Sequence, residues 1–329
     1  MNDVLKQLIR SLSGRRVLVI GDLVADEYIY GRTARISREA PVLILKFVSR
    51  TVLPGGAGNA IMNVRSLGAD PVPLGVVGDD EMGEALRTAF RNQGIDCSGM
   101  ITISQRSTTV KTRILAGSLH TTRQQVIRVD KEEMGPLLKP VSKQLLERFE
   151  KLLPGVDAVL VSDYGYGVVG EEIKQRVGAG HDRPVVVDSR YDLLSFKRIT
   201  IATPNEEEVI GVLDKTIETA TELEVAGKEL LHRLDCPALL VTRGSLGMSL
   251  FQRDGSIVHI PVSGTDEIAD VTGAGDTVAA VMATALAAGA DFLTATHLAN
   301  IAGGIVVMKR GTGIVHPEEL IAVLEEDSP

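Results

Sequence analysis

The sequence predicts an α/β protein: a doubly wound, mostly parallel sheet flanked by helices, with a small β-sheet lid set into it. Three observations carry that prediction. Apolar runs of four to six residues, among them VLVIG, AVLVS, PVVVD and ALLVT, alternate with helical stretches, as expected of strands covered on both faces. Glycines and polar residues gather where those runs end, which is where open parallel sheets bind ligands. Two stretches, about 27–53 and 105–130, leave that rhythm for short alternating β segments.

In chain order, residues 1–13 read as an amphipathic helix with Val4, Leu5, Leu8, Ile9 and Leu12 on one face, stopped by Gly14. RRVLVIGD is a buried strand whose end points Asp22 and Asp26 toward a possible site. From Tyr28 to Phe47 the pattern predicts short strands broken at Gly31 and Pro41. PGGAGNAIMNVRSLGA is a glycine-rich turn entering a helix, PVPLGVVGDD a strand, and EMGEALRTAFRNQGI a helix. The Thr- and Val-rich stretch RSTTVKTRILAGSLHTTRQQVIRVD pairs with the first insertion to form one lid. A helix over 141–153, strand DAVLVSDYG, a helix over 170–178, strands PVVVDS and TIATPN, helices EEEVIGVL and 219–234, and strand ALLVTRG follow. GMSLFQRDGSIVHIPV is a hairpin turning at Asp254-Gly255. The chain then runs through DVTGAGDT and its helix, through ANIAGGIVVMKRGTG, to a helix over 317–326.

Length and composition narrow the function. With 329 residues, 44% hydrophobic and 24% charged, the chain is expected to form a single globular domain over 1–329. Aromatic residues at 3%, with no Trp, offer no stacking platform for nucleic acid, and a net charge of −8 argues against polyanions and anionic membranes as partners. Cys97 and Cys236 are too few and too far apart for a disulfide scaffold or a zinc site and read as buried free thiols. No apolar signal core opens the chain and no 18 apolar residues run together, so the expectation is a soluble, cytoplasmic protein.

The stretch with the most chemical content is Asp270–Thr277, DVTGAGDT, followed by the alanine-rich VAAVMATALAAGA. Small residues at Gly273, Ala274 and Gly275 allow a tight turn, and Asp276 then falls at a helix N-terminus, where unpaired amides and the helix dipole favour phosphate oxygens. An ordinary N-cap is the alternative reading of Asp276. Four more segments lie at strand ends: PGGAGN with Asn59, an open backbone for a ligand or a structural turn; SDYGYG with Asp163; PNEEE, where Asn205 and Glu208 share a helix face and either orient water on magnesium or are solvated acids at a helix start; and TRGSLG, a phosphate cradle or a plain turn. A dinucleotide-dependent oxidoreductase is disfavoured because GDLVAD lacks the GxGxxG turn.

Together these segments, in this order and spacing, resemble the PfkB/ribokinase family of carbohydrate kinases over nearly the whole chain. The resemblance implies a ribokinase-like fold, ATP and Mg2+, and the two insertions acting as the family's lid. It implies Asp276 as general base, with the amides of Gly273, Ala274 and Gly275 stabilising the transferred phosphoryl. Asn205 and Glu208 match the magnesium-linked pair, acting through water; Thr242, Gly244 and Gly247 match nucleotide contacts, and Asn300 the helix flanking the adenine. Asp26, Gly55, Gly56 and Asn59, with Asp163, match positions that hold sugar hydroxyls. Asp270 and Thr272 match the segment where many relatives bind a monovalent cation such as K+. Within the family, GDLVADEYIYGRTARISREAPV with PGGAGNAIMNV and LGVVGDD is most similar to the branch acting on D-glycero-β-D-manno-heptose 7-phosphate. Other sugars such as fructose or ribose, or a nucleoside, are the alternative acceptors, and a non-catalytic sugar- or nucleotide-binding protein is the remote one. Lys111, Arg113 and Arg128, in the second lid segment, are candidates for a substrate's distal phosphate. The chain departs from that branch with Tyr166 where a Lys is expected and DSRYD where a DPKG-like segment is usual. Exposed lid edges suggest pairing of two copies into a homodimer.

Overall fold

A computed structural model describes residues 1–117, 124–179, 182–264, 270–309 and 311–326. The tip of the second lid segment (118–123) and the end of the chain (327–329) lie outside the described residues. The elements are α1 (Asn2–Ser11), β1 (Arg16–Gly21), β2 (Leu23–Ile36), β3 (Leu43–Gly56), α2 (Ala57–Ser66), β4 (Asp70–Leu74), β5 (Val76–Gly78), α3 (Glu81–Asn92), β6 (Ile101–Ile103), β7 (Thr109–Gly117), β8 (Gln124–Lys131) and α4 (Lys139–Leu152). They continue with β9 (Ala158–Asp163), α5 (Glu171–Val177), β10 (Val185–Ser189), β11 (Ile201–Ala202), α6 (Glu206–Leu213), α7 (Ala220–Leu234), β12 (Ala238–Thr242), β13 (Met248–Gln252), β14 (Ile257–Ile260), α8 (Ala274–Ala287), α9 (Phe292–Val307) and α10 (Pro317–Glu326).

The main sheet has the order β14-β13-β12-β11-β10-β9-β1-β4, parallel from β4 to β12 and antiparallel through the β13–β14 hairpin. Side chains alternate across a strand, so a run that is apolar throughout feeds two cores. Val17 and Val19 of β1 join the core under α1, α2, α8 and α9, whereas Leu18 and Ile20 join the opposite core under α4, α5 and α7. Helix α8 is apolar nearly all round, and a helix of that kind must be covered on most sides. It packs between α2 and α9 and against β9 and β10, which fixes the place of its N-terminus.

The lid is a second sheet of order β3-β2-β7-β8, and the two insertions do form one unit. Its first half differs from the sequence expectation. Instead of short strands broken at Gly31 and Pro41, β2 and β3 each run 14 residues, with register shifts at Tyr30/Gly31 and Thr33/Arg35. A long antiparallel ladder absorbs an extra residue as a bulge, and Pro41 sits in the connecting turn, outside the ladder. The expected strand PVPLGVVGDD is divided as well: β4 joins the main sheet, while β5 pairs with β6. At the break, a Cβ on Gly75 would lie 2.8 Å from the Gly21 carbonyl oxygen, so only glycine lets the chain pass there.

Candidate active site

The C-terminal ends of β9, β10 and β12, the start of α6, the mouth of α8 and the lid strands enclose one cleft of about 810 Å³. Asp276 lies at its floor. It is the third residue of α8; the N-cap is Gly273, with φ of 81°, so the simple N-cap reading of Asp276 does not hold. A Cβ on Gly273 would lie 2.4 Å from Nδ2 of Asn59, so glycine is required both by the left-handed backbone and by that side chain. Asp276 is only 2% exposed, yet it lines the cleft and is not embedded among apolar groups. Nδ2 of Asn59, from α2, donates to its Oδ2 at 3.2 Å, and the Tyr164 hydroxyl donates to its Oδ1 at 3.0 Å. Burial pushes the carboxyl up to about 7, the two donors pull it back, and the charge of Asp26 adds to the rise.

The mouth of α8 in front of this acid offers fewer amides than expected. Gly273 and Gly275 line the cleft, but the Ala274 amide is engaged with the Val271 carbonyl at 3.3 Å. Asp270 accepts the amides of Thr272 at 2.9 Å and Gly311 at 3.0 Å, which ties the α8 entry to the loop after α9. Burial would raise the Asp270 carboxyl; these donors outweigh it and hold it below the ordinary value. Thr272 and Thr312 line the cleft beside it, and the Thr312 hydroxyl is buried with no hydrogen-bond partner among the described residues.

On the lid side, Asp26 of β2 is buried and ion-paired to Arg113 of β7, whose guanidinium lies 5.4 Å from the Tyr28 ring centroid. Burial raises Asp26, and Arg113 and Lys111 only partly offset that. Lys111, Arg113 and Arg128 all line the cleft, and each already has an acidic partner. Lys111 meets Asp130 at 3.3 Å and Glu132 at 2.5 Å, and Arg128 meets Asp130 at 2.9 Å. Tyr166, where a lysine was expected, donates to Glu132, and Nζ of Lys111 sits 5.5 Å from the Tyr166 ring centroid. Gly56 lines the cleft, whereas Gly55 lies behind it: a Cβ there would come 2.2 Å from Oδ2 of Asp26. Asp163 lines the cleft too, but its oxygens accept from the Gly165 amide at 3.1 Å and the Ser189 hydroxyl at 2.8 Å. Asp22, pushed up to about 6 by burial and by Asp163, turns away to accept the amides of Tyr164, Tyr166 and Val168, and so shapes the SDYGYG loop.

On the opposite side, Asn205 and Glu208 form a reciprocal capping box at the start of α6, with bonds of 2.8 and 2.9 Å. Both residues also line the cleft. Thr242 lines it beside them, joined to Asn205 by an isolated parallel bridge. Three predicted nucleotide residues do not line it. Gly244 and Gly247 shape the turn after β12, and a Cβ on Gly247 would strike the Ile260 carbonyl at 2.1 Å. Asn300 is committed to the Pro261 carbonyl at 2.8 Å.

Sequence reasoning missed Tyr164, Asp188 and Arg190 as cleft residues. Asp188 is the penultimate residue of β10, and its carboxyl is pushed well above the ordinary range by burial and by the charges of Glu208 and Asp276. Arg190 lies against Tyr191, 5.7 Å from the ring centroid, and has no acidic partner within ion-pair distance among the described residues. The signal for both was DSRYD, which puts an acid and a cation just past a strand end.

Residues 15–319 match the pfkB family of carbohydrate kinases. The chain is 40% identical over 318 residues to the bifunctional protein HldE of Geotalea uraniireducens, covering 95% of this chain and 64% of that protein. It is 42% identical over 308 residues to HldE of Geobacter metallireducens, covering 92% of this chain and 62% of that protein. The chain thus spans less than two thirds of the length of these two relatives. Its fold is similar to that of Arabidopsis thaliana ribokinase complexed with ribose and ATP, at a TM-score of 0.72 and 18% identity, covering 95% of this chain and 99% of that one. With an acid at a helix mouth, a lidded cleft and this match over most of its length, the chain belongs to the pfkB family of carbohydrate kinases.

Proposed function

We propose that this chain is an ATP-dependent sugar kinase that phosphorylates O1 of D-glycero-β-D-manno-heptose 7-phosphate. The observation carrying the proposal is the position of Asp276, a carboxylate with a pKa of about 7 at the mouth of α8, between lid cations on one side and Asn205, Glu208 and Thr242 on the other. Asp276 takes the proton from the sugar hydroxyl as that oxygen bonds the γ-phosphorus. The bond from the γ-phosphorus to the bridging oxygen breaks, and ADP leaves with that oxygen. Amides at Gly273 and Gly275 and the α8 dipole meet the charge spread over the transferred group.

Lys111, Arg113 and Arg128 suit the 7-phosphate, their carboxylate partners exchanging for phosphate oxygens as substrate enters. Asp26 and Asn59 suit the sugar hydroxyls. The donor set fits Mg2+, because Glu208 and Asp188 bring carboxylates to one region where burial and mutual repulsion favour a cation. Among the described residues no group of three or more His, Cys, Asp or Glu could hold a metal, which fits an ion carried chiefly by phosphates and water. Asn205 and Glu208 would hold it through water, and it would neutralise phosphate charge. We extend the reading to K+ near Asp270 and Thr272, supported by the unpartnered Thr312 hydroxyl.

We read the chain as one cytoplasmic kinase domain, with two buried free cysteines and, among the described residues, no helix long and apolar enough to cross a membrane. A second copy is the proposed lid partner, since Phe47, Val48, Val126 and Val129 stand exposed on lid strands. The experiment is ADP release with MgATP in KCl or NaCl, offering heptose 7-phosphate, the unphosphorylated heptose, ribose, fructose and a nucleoside. Phosphorus NMR would identify an anomeric phosphate. Failure to release ADP with every acceptor on that panel would remove the proposal. A preference for the unphosphorylated heptose would remove the role of the lid cations.

A further inference from the structure

We propose that Tyr164 is a positioning residue for phosphoryl transfer, its phenol holding Oδ1 of Asp276 so that the carboxylate stays oriented and ionised. This rests on the reading of Asp276 as the base. The two carboxylate oxygens are divided between two donors, Asn59 on Oδ2 at 3.2 Å and Tyr164 on Oδ1 at 3.0 Å, and each oxygen keeps lone-pair capacity for a sugar hydroxyl.

Both donors are themselves held. Nδ2 of Asn59 also donates to the Gly273 carbonyl at 3.2 Å, and Oδ1 of Asn59 accepts from Asn63 at 3.2 Å. The Tyr164 amide donates to buried Asp22 at 2.8 Å, so the loop after β9 aims the phenol at α8. A chain of fixed contacts therefore runs from the end of β1 through Tyr164 to the base, and a rotated carboxylate would lose a bond at either oxygen.

Burial and the neighbouring Asp276 charge raise the Tyr164 hydroxyl well above its usual range, so it remains a proton donor at every working pH and does not compete as a base. A donor to an ionised carboxylate favours the ionised form and opposes the burial that raises Asp276. The other charged groups facing Asp276 are Asp26 from β2, held by Arg113, and Asp188 from β10, which feels Arg190 and Glu208. Tyr164→Phe leaves all of these in place. It also keeps the ring contact beside Gly56, where a Cβ would sit 3.5 Å from the ring.

The test compares the pH dependence of kcat/KM between pH 5.5 and 9.5 for wild type, Tyr164→Phe and Asp276→Asn. Tyr164→Phe is expected to move the acid limb up by about one pH unit, cutting activity near pH 6.5 by about tenfold. At pH 9 it should recover to within about threefold of wild type, with KM for ATP unchanged. An acid limb that does not move, or a loss equal at all pH values, would overturn the role of Tyr164 alone. Wild-type enzyme with no acid limb, or an active Asp276→Asn variant, would remove the base and Tyr164's role with it.

Discussion

Replacing Asp276 by Asn should inactivate the enzyme and make the fold more stable at alkaline pH. The carboxyl titrates at about 7 in the folded chain, against an ordinary value of 3.8. An acid whose pKa is raised by folding contributes stability that is complete below the unfolded value and is lost as pH rises through the folded one. At 1.36 kcal/mol per pKa step, the gap between 3.8 and about 7 makes the ionised form a burden of about 4 kcal/mol at pH 8. Asn carries no charge, but its NH2 can be accepted only by the Tyr164 oxygen, whose proton must then turn away from residue 276, so about 1–3 kcal/mol is lost in the exchange. The net gain is about 1–3 kcal/mol at pH 8, or roughly 1–4 °C in Tm for a chain of this length. It should shrink as pH falls and change sign before pH 4, where the carboxyl is uncharged and only the cost of the exchanged bond remains. Turnover should drop by about two to four orders of magnitude, the scale of a lost general base. Thermal unfolding of both proteins across pH 4–8, with turnover at pH 8, tests this. A variant no more stable than wild type at pH 8, or a difference independent of pH, would refute the view that ionised Asp276 is held against its own desolvation.

Two further substitutions separate the halves of the cleft. Gly55→Ala puts a methyl group 2.2 Å from Oδ2 of Asp26 and should displace the Asp26–Arg113 pair. Steady-state kinetics should then give an acceptor KM raised about tenfold or more with KM for ATP unchanged, since a bond to a charged group is worth about 1.5–3 kcal/mol. Arg190→Gln removes the cleft cation that pulls Asp188 down, and the reverse split is expected, with KM for ATP up by about tenfold and the acceptor little affected. An acceptor-only effect in that variant would place Arg190 on the sugar side.

Much of the fold was legible because the burial of a strand or helix is written in its own period. The runs feeding β1, β9, β10 and β12 are apolar on both faces, and the Asp254-Gly255 turn of the β13–β14 hairpin is a local matter of turn chemistry. The lid was visible as a change of pattern, but its two long strands were not, because a bulge at Gly31 resembles a strand break until the partner strand is present. At the site, glycine at 273 and an acid three residues on mark a helix mouth in the sequence itself. That Asn59 lies 3.2 Å from that acid follows only from packing α2 against α8.

The sequence by itself determined the strand and helix alphabet, the lid as a separate β unit, and the candidate base at 276, since each depends on neighbours along the chain. Tertiary structure alone decided which carboxylates face each other, that the lid cations are already paired, that Asn300 is committed to Pro261, and that Tyr164 reaches Asp276. The physical reason is that pKa values and ion pairs depend on distance and desolvation, and those arise from residues far apart in the chain brought together by a common core.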